Sequence, residues 1–185
     1  IESMKSVSPS LKGYFKMNIV LIGYRGTGKS CVGKILEERL GWPLLSFDQL
    51  IVEREGRSIP QIVADRGWEY FRDVESAVTL ECSEKDQCIF DTGGGCILRP
   101  QNVEALRRNG LLFWLRASVP TIAARIGQDN QRPSLTGNKS FVEEIEEVLN
   151  QRIEKYSAAA GHVIDTDGMT PQQVADAILR QYSGD

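Results

Sequence analysis

Short apolar runs alternate with longer amphipathic stretches along most of the chain. The apolar runs are candidate strands, and they cover residues 17–22, 44–47, 88–91, 111–115 and 162–164. Between them, apolar residues recur every three or four positions, a spacing that places them on one face of a helix. Strands that alternate with helices predict an α/β fold, a three-layer sandwich with a central five-stranded parallel sheet.

Glycine and serine mark the ends of the predicted helices. Helices are predicted over residues 31–40, 48–55, 58–66, 69–85, 100–109, 118–126, 140–160 and 170–182. Gly41, Gly56 and Gly67 each stand where a helical pattern stops, as glycine does when the chain turns into a left-handed conformation. Residues 127–139 are polar and lack periodicity, which predicts either a lid or a surface loop without a role.

Composition and charge narrow the functional classes. The chain has 185 residues, enough for one domain, and its 41% hydrophobic and 25% charged residues are typical of a globular protein. A net charge of −3 argues against a nucleic-acid surface, and no apolar run reaches the length of a membrane span. The four cysteines form no C-x-x-C pair, so we expect reduced thiols and a cytoplasmic protein.

The first sixteen residues differ from the rest of the chain. Residues 1–16 are rich in serine and lysine, show no periodicity and lack the apolar segment of a signal peptide. We expect a disordered arm or an expression remnant there, with Met4 or Met17 as a natural start. A single domain is expected over residues 17–185, with a lid at about 127–139.

Residues 23–30, G-Y-R-G-T-G-K-S, carry the strongest chemical signal in the chain. They match G-x-x-x-x-G-K-[ST], the phosphate loop of proteins that bind nucleoside triphosphates, and they lie between a predicted strand and a predicted helix, as that loop requires. Its glycines let successive backbone N–H groups curl around phosphates. Lys29 adds a cation near the β- and γ-phosphates, and the Ser30 hydroxyl can bind Mg²⁺.

Segments that follow other strands are candidates for choosing the phosphate acceptor. Asp48 follows the second strand, a triple glycine at residues 93–95 follows the third, and residues 165–167 follow the fifth. Ligands bind beyond the carboxyl ends of parallel strands, so we expect these segments to share one site with the phosphate loop. Asp48 could deprotonate or orient a hydroxyl, or cap the next helix. The glycines suit close approach of a ligand to bare backbone, or a tight turn.

Three arginines are candidate cations. Arg72 precedes Glu75 by one helical step, and its planar fork suits a carboxylate, although it could also be a surface residue. Arg132 lies in the polar loop, where it could contact the transferred phosphoryl group or be a surface residue without a functional role. Arg152 lies in the helix after that loop, and alone it predicts only a solvated charge.

Together these motifs resemble the shikimate kinase family in content and order from residue 18 onward. The matching segments are G-x-x-G-x-G-K-S at 23–30, the carboxylate at 48, G-x-S-I at 56–59, F-R-x-x-E at 71–75, G-G-G at 93–95, R-P at 132–133 and R-x-x-x-Y at 152–156. The resemblance implies a P-loop kinase fold of the nucleoside monophosphate kinase type. It implies phosphorylation of the 3-hydroxyl of shikimate by ATP with Mg²⁺, on the route to chorismate and the aromatic amino acids. A monomer is also implied, and the net charge and the short apolar runs predict no nucleic-acid or membrane partner.

The resemblance implies roles for individual residues. The catalytic residues would be Lys29, Asp48 and Arg132. ATP would bind to Gly26, Thr27, Gly28, Lys29, Ser30, Cys31, Arg125 and Arg132, with Arg125 against the adenine. Shikimate would contact Asp48, Arg72, Gly93, Gly94, Gly95 and Arg152, with its carboxylate held by the two arginines.

One departure from the family concerns the metal. The family has Asp-x-Asp at the end of the second strand, where this chain has Ser46, Phe47 and Asp48, so the carboxylate that supports the Mg²⁺ waters is missing. Asp91 ends the third strand, where a Walker B carboxylate would lie. We therefore expect Ser30 and Asp91 to bind the metal, although Asp91 could instead cap the glycine turn.

Two other functions stay open on sequence alone. Another small-molecule kinase, such as a gluconate kinase, shares the phosphate loop and the lid but lacks the combination of F-R-x-x-E, triple glycine and late arginine. A non-catalytic nucleotide-binding relative is favoured by Ser46. The intact Lys29, Ser30, Asp48 and Arg132 argue against it.

Overall fold

Five parallel strands form the centre of the structure, a computed structural model that describes residues 17–126 and 141–184, with Phe141 as backbone alone. The strands are β1 (Asn18–Ile22), β2 (Leu44–Ser46), β3 (Ile89–Asp91), β4 (Gly110–Arg116) and β5 (His162–Asp165). Their order in the sheet is β2-β3-β1-β4-β5, and every neighbouring pair is parallel. The predicted five-stranded parallel sheet is confirmed, and each strand end lies within one residue of its expected position.

Helices connect the strands, and those in the described residues are α1 (Lys29–Leu40), α2 (Phe47–Glu55), α3 (Ile59–Ser83), α4 (Pro100–Arg108), α5 (Val119–Ile126), α6 (Phe141–Ala159) and α7 (Pro171–Ser183). Gly41 and Gly56 end α1 and α2 in the left-handed conformation, as predicted. Gly67 breaks α3 with φ 81° and ψ 171°, also as predicted. A short 3-10 turn at Cys96–Leu98 was not predicted.

Alternate residues of the central strands pack on opposite faces of the sheet. Val20 and Ile22 of β1 belong to a buried cluster that includes Phe71 of α3. Ile19 and Leu21 belong to a second cluster, formed with α1 and α7. The sheet therefore lies between two helical layers, as a parallel sheet with both faces covered requires.

The central strand β1 pairs with β3 on one side and with β4 on the other. The chain leaves β1 for α1 on one face of the sheet and leaves β3 for α4 on the other face. These two neighbouring strands therefore open a crevice beyond their carboxyl ends. The predicted arm at 1–16 and the predicted lid at 127–139 with Arg132 lie outside the described residues. Within residues 17–126 and 141–184, no helix is long and apolar enough to cross a membrane.

Candidate active site

The phosphate loop follows β1 at the centre of the carboxyl edge of the sheet. Gly23 has φ 143°, and a Cβ there would lie 2.5 Å from a backbone oxygen of β4. Gly26 has φ 78°, and a Cβ there would lie 2.6 Å from a side chain of α5. Lys29 begins α1, and its Nζ donates to the carbonyl oxygens of Gly23 at 2.9 Å and Tyr24 at 3.0 Å. The lysine thus folds back over a loop in which neighbouring atoms leave no room for a side chain at Gly23 or Gly26.

A cleft of about 580 Å³ opens beyond the phosphate loop, a volume typical of sites for small molecules. Its walls are the phosphate loop, the first turn of α1, the ends of β2 and β3, the triple glycine and the connection from β5 to α7. Among the lining residues are Gly26, Thr27, Gly28, Lys29, Ser30, Cys31, Asp48, Asp91, Gly94 and Arg125. The segments that follow β1, β2, β3 and β5 therefore meet in one cavity.

A serine hydroxyl meets a carboxylate beside the phosphate loop. The Oγ atom of Ser30 donates a hydrogen bond of 2.5 Å to Oδ2 of Asp91. Asp91 ends β3, is 7% exposed, and stands in register opposite Ser46 on the neighbouring strand. A carboxylate therefore lies directly beside the position where serine replaces the acidic residue of the family pattern. Its bond to Ser30 favours a role at the phosphate loop over capping of the glycine turn.

Asp48 lies in the first turn of α2. The N-cap of this helix is Ser46, so the alternative that Asp48 serves as the cap is wrong. The Oδ1 atom of Asp48 is buried and lies 3.2 Å from the position that a Cβ on Gly93 would take. Asp48 also lines the cleft, where a carboxylate can orient a hydroxyl or accept its proton.

Arg72 and Glu75 form a buried ion pair against the triple glycine. The Nη1 atom of Arg72 lies 2.6 Å from Oε2 of Glu75, and the two side chains are 12% and 1% exposed, so Arg72 is not a surface residue. A Cβ on Gly95 would lie 2.3 Å from the guanidinium carbon, and one on Gly93 would lie 2.6 Å from Oε1 of Glu75. Burial raises the pKa of Glu75, and the charge of Arg72 opposes that shift. These two glycines therefore make room for the ion pair, a use that the sequence did not predict.

Helix α6 also contacts the triple glycine. Nη1 of Arg152 and the hydroxyl of Tyr156 both donate to the carbonyl oxygen of Gly94, at 3.1 and 2.5 Å. The Tyr156 ring stacks on Trp114 of β4 with 5.5 Å between centroids, and burial raises the pKa of Tyr156 to about 12. The hydroxyl thus stays a donor at neutral pH. Arg152 is held against the site, which contradicts its interpretation as a merely solvated charge.

Arg125 joins the phosphate loop to the segment after β5. Its Nη1 donates to the carbonyl oxygen of Gly26 at 3.3 Å and to Oγ1 of Thr166 at 3.1 Å, and its Nη2 donates to the Thr166 carbonyl oxygen at 3.1 Å. Thr166 lines the cleft. The two residues that flank Thr166 in the sequence have partners elsewhere. Asp165 accepts hydrogen bonds from Arg116, and Asp167 accepts one from the backbone N–H of Ser118.

An apolar wall beside Arg125 was missed by sequence reasoning. Met169, Pro171 and Val174 line the cleft at this end. Pro171 could be recognised as the first residue of a helix, but a helix start carries no signal of which cavity it faces. Apolar side chains next to a guanidinium suit a purine ring.

Comparisons with known proteins identify the family of this chain. A family model described as shikimate kinase matches residues 25–183. The shikimate kinase of Syntrophus aciditrophicus (strain SB) is 41% identical over 176 residues, which cover 89% of this chain and 90% of that protein. The solved structure of shikimate kinase from Acinetobacter baumannii in complex with shikimate matches with a TM-score of 0.87 and 31% identity, over 94% of this chain and 96% of that one. A gluconokinase from Sinorhizobium meliloti 1021 shares the fold alone, with a TM-score of 0.56 and 18% identity over 91% of this chain and 92% of that one. The chain therefore belongs to the shikimate kinase family.

Proposed function

We propose that this chain transfers the γ-phosphoryl group of ATP to the 3-hydroxyl of shikimate, giving shikimate 3-phosphate and ADP on the route to chorismate. The observation that carries the proposal is the meeting of the phosphate loop, Asp48 and Gly94 in one cleft, with Arg72 and Arg152 against the triple glycine. The phosphate loop matches the phosphates of ATP. Asp48 matches the hydroxyl of shikimate, and the two arginines match its carboxylate.

Arg72 and Arg152 are proposed to bind the carboxylate of shikimate. The bond from Arg72 to Glu75 anchors its guanidinium beside the triple glycine, and the bond from Arg152 to Gly94 anchors the second guanidinium from α6. Preorganised guanidinium groups bind a carboxylate without first losing side-chain freedom. The triple glycine would then lie against the ring of shikimate, with its 3-hydroxyl toward Asp48.

Asp48 is proposed to orient the 3-hydroxyl and to accept its proton as the hydroxyl oxygen attacks the γ-phosphorus. The bond from that phosphorus to the bridging oxygen breaks, and ADP leaves. Lys29 and the N–H groups of the phosphate loop would stabilise the negative charge on the phosphoryl oxygens. Arg132, which lies outside the described residues, is proposed to add a further cation, and Arg125 to lie against the adenine.

Ser30 and Asp91 fit a Mg²⁺ ion. They offer a hydroxyl and a carboxylate 2.5 Å apart, and Mg²⁺ usually takes one or two such protein oxygens together with phosphates and water. The described residues hold no group of three or more histidine, cysteine, aspartate or glutamate side chains that could bind a metal ion. When held by Ser30 and Asp91, Mg²⁺ would neutralise negative charge on the phosphates. We propose that Asp91 supplies the charge that Ser46 lacks.

We also propose a cytoplasmic monomer of one domain over residues 17–185, with a lid at about 127–139 and without nucleic-acid or membrane partners. All four cysteines are free thiols, which suits a reducing compartment. The net charge of −3 is unfavourable for binding to nucleic acid.

A coupled ADP-release assay tests the proposed function. The protein is given ATP and Mg²⁺ together with shikimate, with gluconate or with no acceptor. Of these three reactions, only the one with shikimate is expected to release ADP. Asp48→Asn serves as the control, because it should lose turnover while still binding ATP. Turnover only with gluconate would assign a different acceptor. Absence of turnover with intact ATP binding would indicate a non-catalytic relative.

A further inference from the structure

Arg25 is a charged residue at a position of the phosphate loop that the loop pattern leaves open. It lines the cleft together with Lys29 and Asp48. Its backbone nitrogen lies 3.6 Å from the position that a Cβ on Gly94 would take. Arg25 therefore stands where the phosphate loop meets the triple glycine, between the nucleotide side and the acceptor side of the cleft.

Glu144 of α6 holds the side chain of Arg25. The Nη2 atom of Arg25 lies 3.5 Å from Oε1 of Glu144, and the side chains are 17% and 5% exposed. The Tyr24 ring adds a contact, with 5.8 Å from the guanidinium carbon to the ring centroid. A separation of 3.5 Å is at the outer limit of a hydrogen bond. The pair thus orients the guanidinium.

The helix that carries Glu144 also contacts the acceptor side of the cleft. Arg152 and Tyr156 of α6 both donate to the carbonyl oxygen of Gly94. Glu144 and Arg152 are separated by about 12 Å along the helix axis at 1.5 Å per residue. One rigid helix therefore contacts the phosphate loop through Glu144 and the triple glycine through Arg152.

We propose that Arg25 is a further phosphate-binding residue, that Glu144 is its positioning residue, and that α6 thereby couples nucleotide binding to acceptor binding. The proposal rests on the proposed function, since it takes ATP as the nucleotide and shikimate as the acceptor. A guanidinium has five N–H donors in a planar fork, so it can bind a carboxylate on one edge and a phosphate oxygen on another. A shift of α6 would move Glu144 and, with it, Arg25, and would so alter the contact between Arg25 and the phosphates.

A double-mutant cycle tests the phosphate-binding role. Calorimetric titration with Mg²⁺ and AMPPNP, an ATP analogue that is not hydrolysed, gives the dissociation constants of wild type, Arg25→Met, Glu144→Gln and the double variant. Arg25→Met should weaken binding about tenfold, as the loss of a charged hydrogen bond does. Glu144→Gln should weaken it about threefold, and the double variant should bind no more weakly than Arg25→Met. Unchanged affinity in Arg25→Met would overturn the phosphate role, and additive losses would overturn the positioning role.

Two further variants keep the cycle interpretable. Arg25→Lys retains the charge without the fork and should lose affinity to an intermediate extent, so it replaces Arg25→Met if that variant does not fold. Arg39→Met breaks the ion pair with Asp176, whose side chains are 36% and 52% exposed, and should leave nucleotide affinity unchanged. A loss in Arg39→Met as large as that in Arg25→Met would overturn the proposal, because any broken ion pair would then suffice.

Coupling is measured as the ratio of shikimate affinities with and without AMPPNP. Wild type should show a ratio clearly above one, and Arg25→Met and Glu144→Gln should each bring it toward one. A wild-type ratio of one, or a ratio that both variants leave unchanged, would overturn the coupling through α6. The nucleotide titrations need no shikimate. If wild type binds AMPPNP but not shikimate, the proposed function fails while the cycle still decides the role of Arg25.

Discussion

Replacing Gly95 by alanine tests whether the triple glycine positions Arg72. The backbone at Gly95 has φ −103° and ψ 0°, so alanine adds no backbone strain there. An added Cβ would lie 2.3 Å from the Cζ, Nη1 and Nη2 atoms of Arg72, whereas ordinary van der Waals contact begins at 3.4 Å. The guanidinium must therefore retreat by about 1.1 Å.

The movement should fall on Arg72 because its guanidinium ends a flexible side chain, whereas the backbone at Gly95 is buried. A displacement of about 1 Å spoils the geometry of a charged hydrogen bond worth about 1.5–3 kcal/mol. The dissociation constant of shikimate should accordingly rise about 10- to 150-fold. The nucleotide is proposed to bind to the phosphate loop, away from Gly95, so the affinity for AMPPNP should change less than about twofold.

Calorimetric titrations of Gly95→Ala with shikimate and with AMPPNP measure both effects. Gly161→Ala is the matched control, because a Cβ there would meet its nearest neighbour at 3.6 Å, an ordinary contact. Thermal unfolding of both variants shows whether the fold is retained. A folded Gly95→Ala protein with unchanged affinity for shikimate would refute the reasoning, since Arg72 would then bind no acceptor from this position.

Three further predictions concern other residues of the site. Asp91→Asn should raise the Mg²⁺ concentration for half-maximal AMPPNP binding about tenfold; an unchanged Mg²⁺ titration would remove Asp91 from the metal site. Arg152→Met should raise the KM for shikimate about tenfold with little change in the KM for ATP, and equal increases in both would point to a damaged fold. Burial raises the pKa of Glu75, so the folded state binds the proton of this carboxyl group more tightly than the unfolded state does. Protonated Glu75 therefore stabilises the folded state, and this stabilisation is lost as the pH rises from the ordinary pKa of 4.5 through the pKa in the folded state. Glu75→Gln should therefore gain stability relative to wild type in urea denaturation as the pH rises above about 4.5, and a stability difference that does not change with pH would contradict the shift.

The sheet and the phosphate loop could be predicted because their signals are local. A buried parallel strand appears as a continuous apolar run, and glycines such as Gly41 and Gly56 end helices through their own φ angles. The boundary at Phe47 shows where a local signal fails. The apolar run suggests that β2 includes Phe47, but this residue begins α2, and its ring packs against Phe90 of β3. That helix start makes Ser46 the N-cap in place of Asp48.

The arrangement of the site could not be predicted in full because it depends on contacts between distant segments. Ser46 and Asp91 lie opposite each other only because β2 and β3 are neighbours in the sheet, and strand order leaves no local trace in the sequence. The pair of Arg25 and Glu144 joins positions 119 residues apart. The triple glycine was visible as a pattern, yet its contacts with Arg72 and Glu75 appear only in three dimensions.

The position of the new phosphate ester tests the central claim most directly. The protein is incubated with shikimate, ATP and Mg²⁺, and the product is examined by phosphorus and proton nuclear magnetic resonance. We predict a phosphomonoester whose phosphorus couples to the proton on carbon 3 of shikimate, formed together with ADP. Coupling to the proton of another carbon, or release of inorganic phosphate without a new ester, would contradict the proposed reaction.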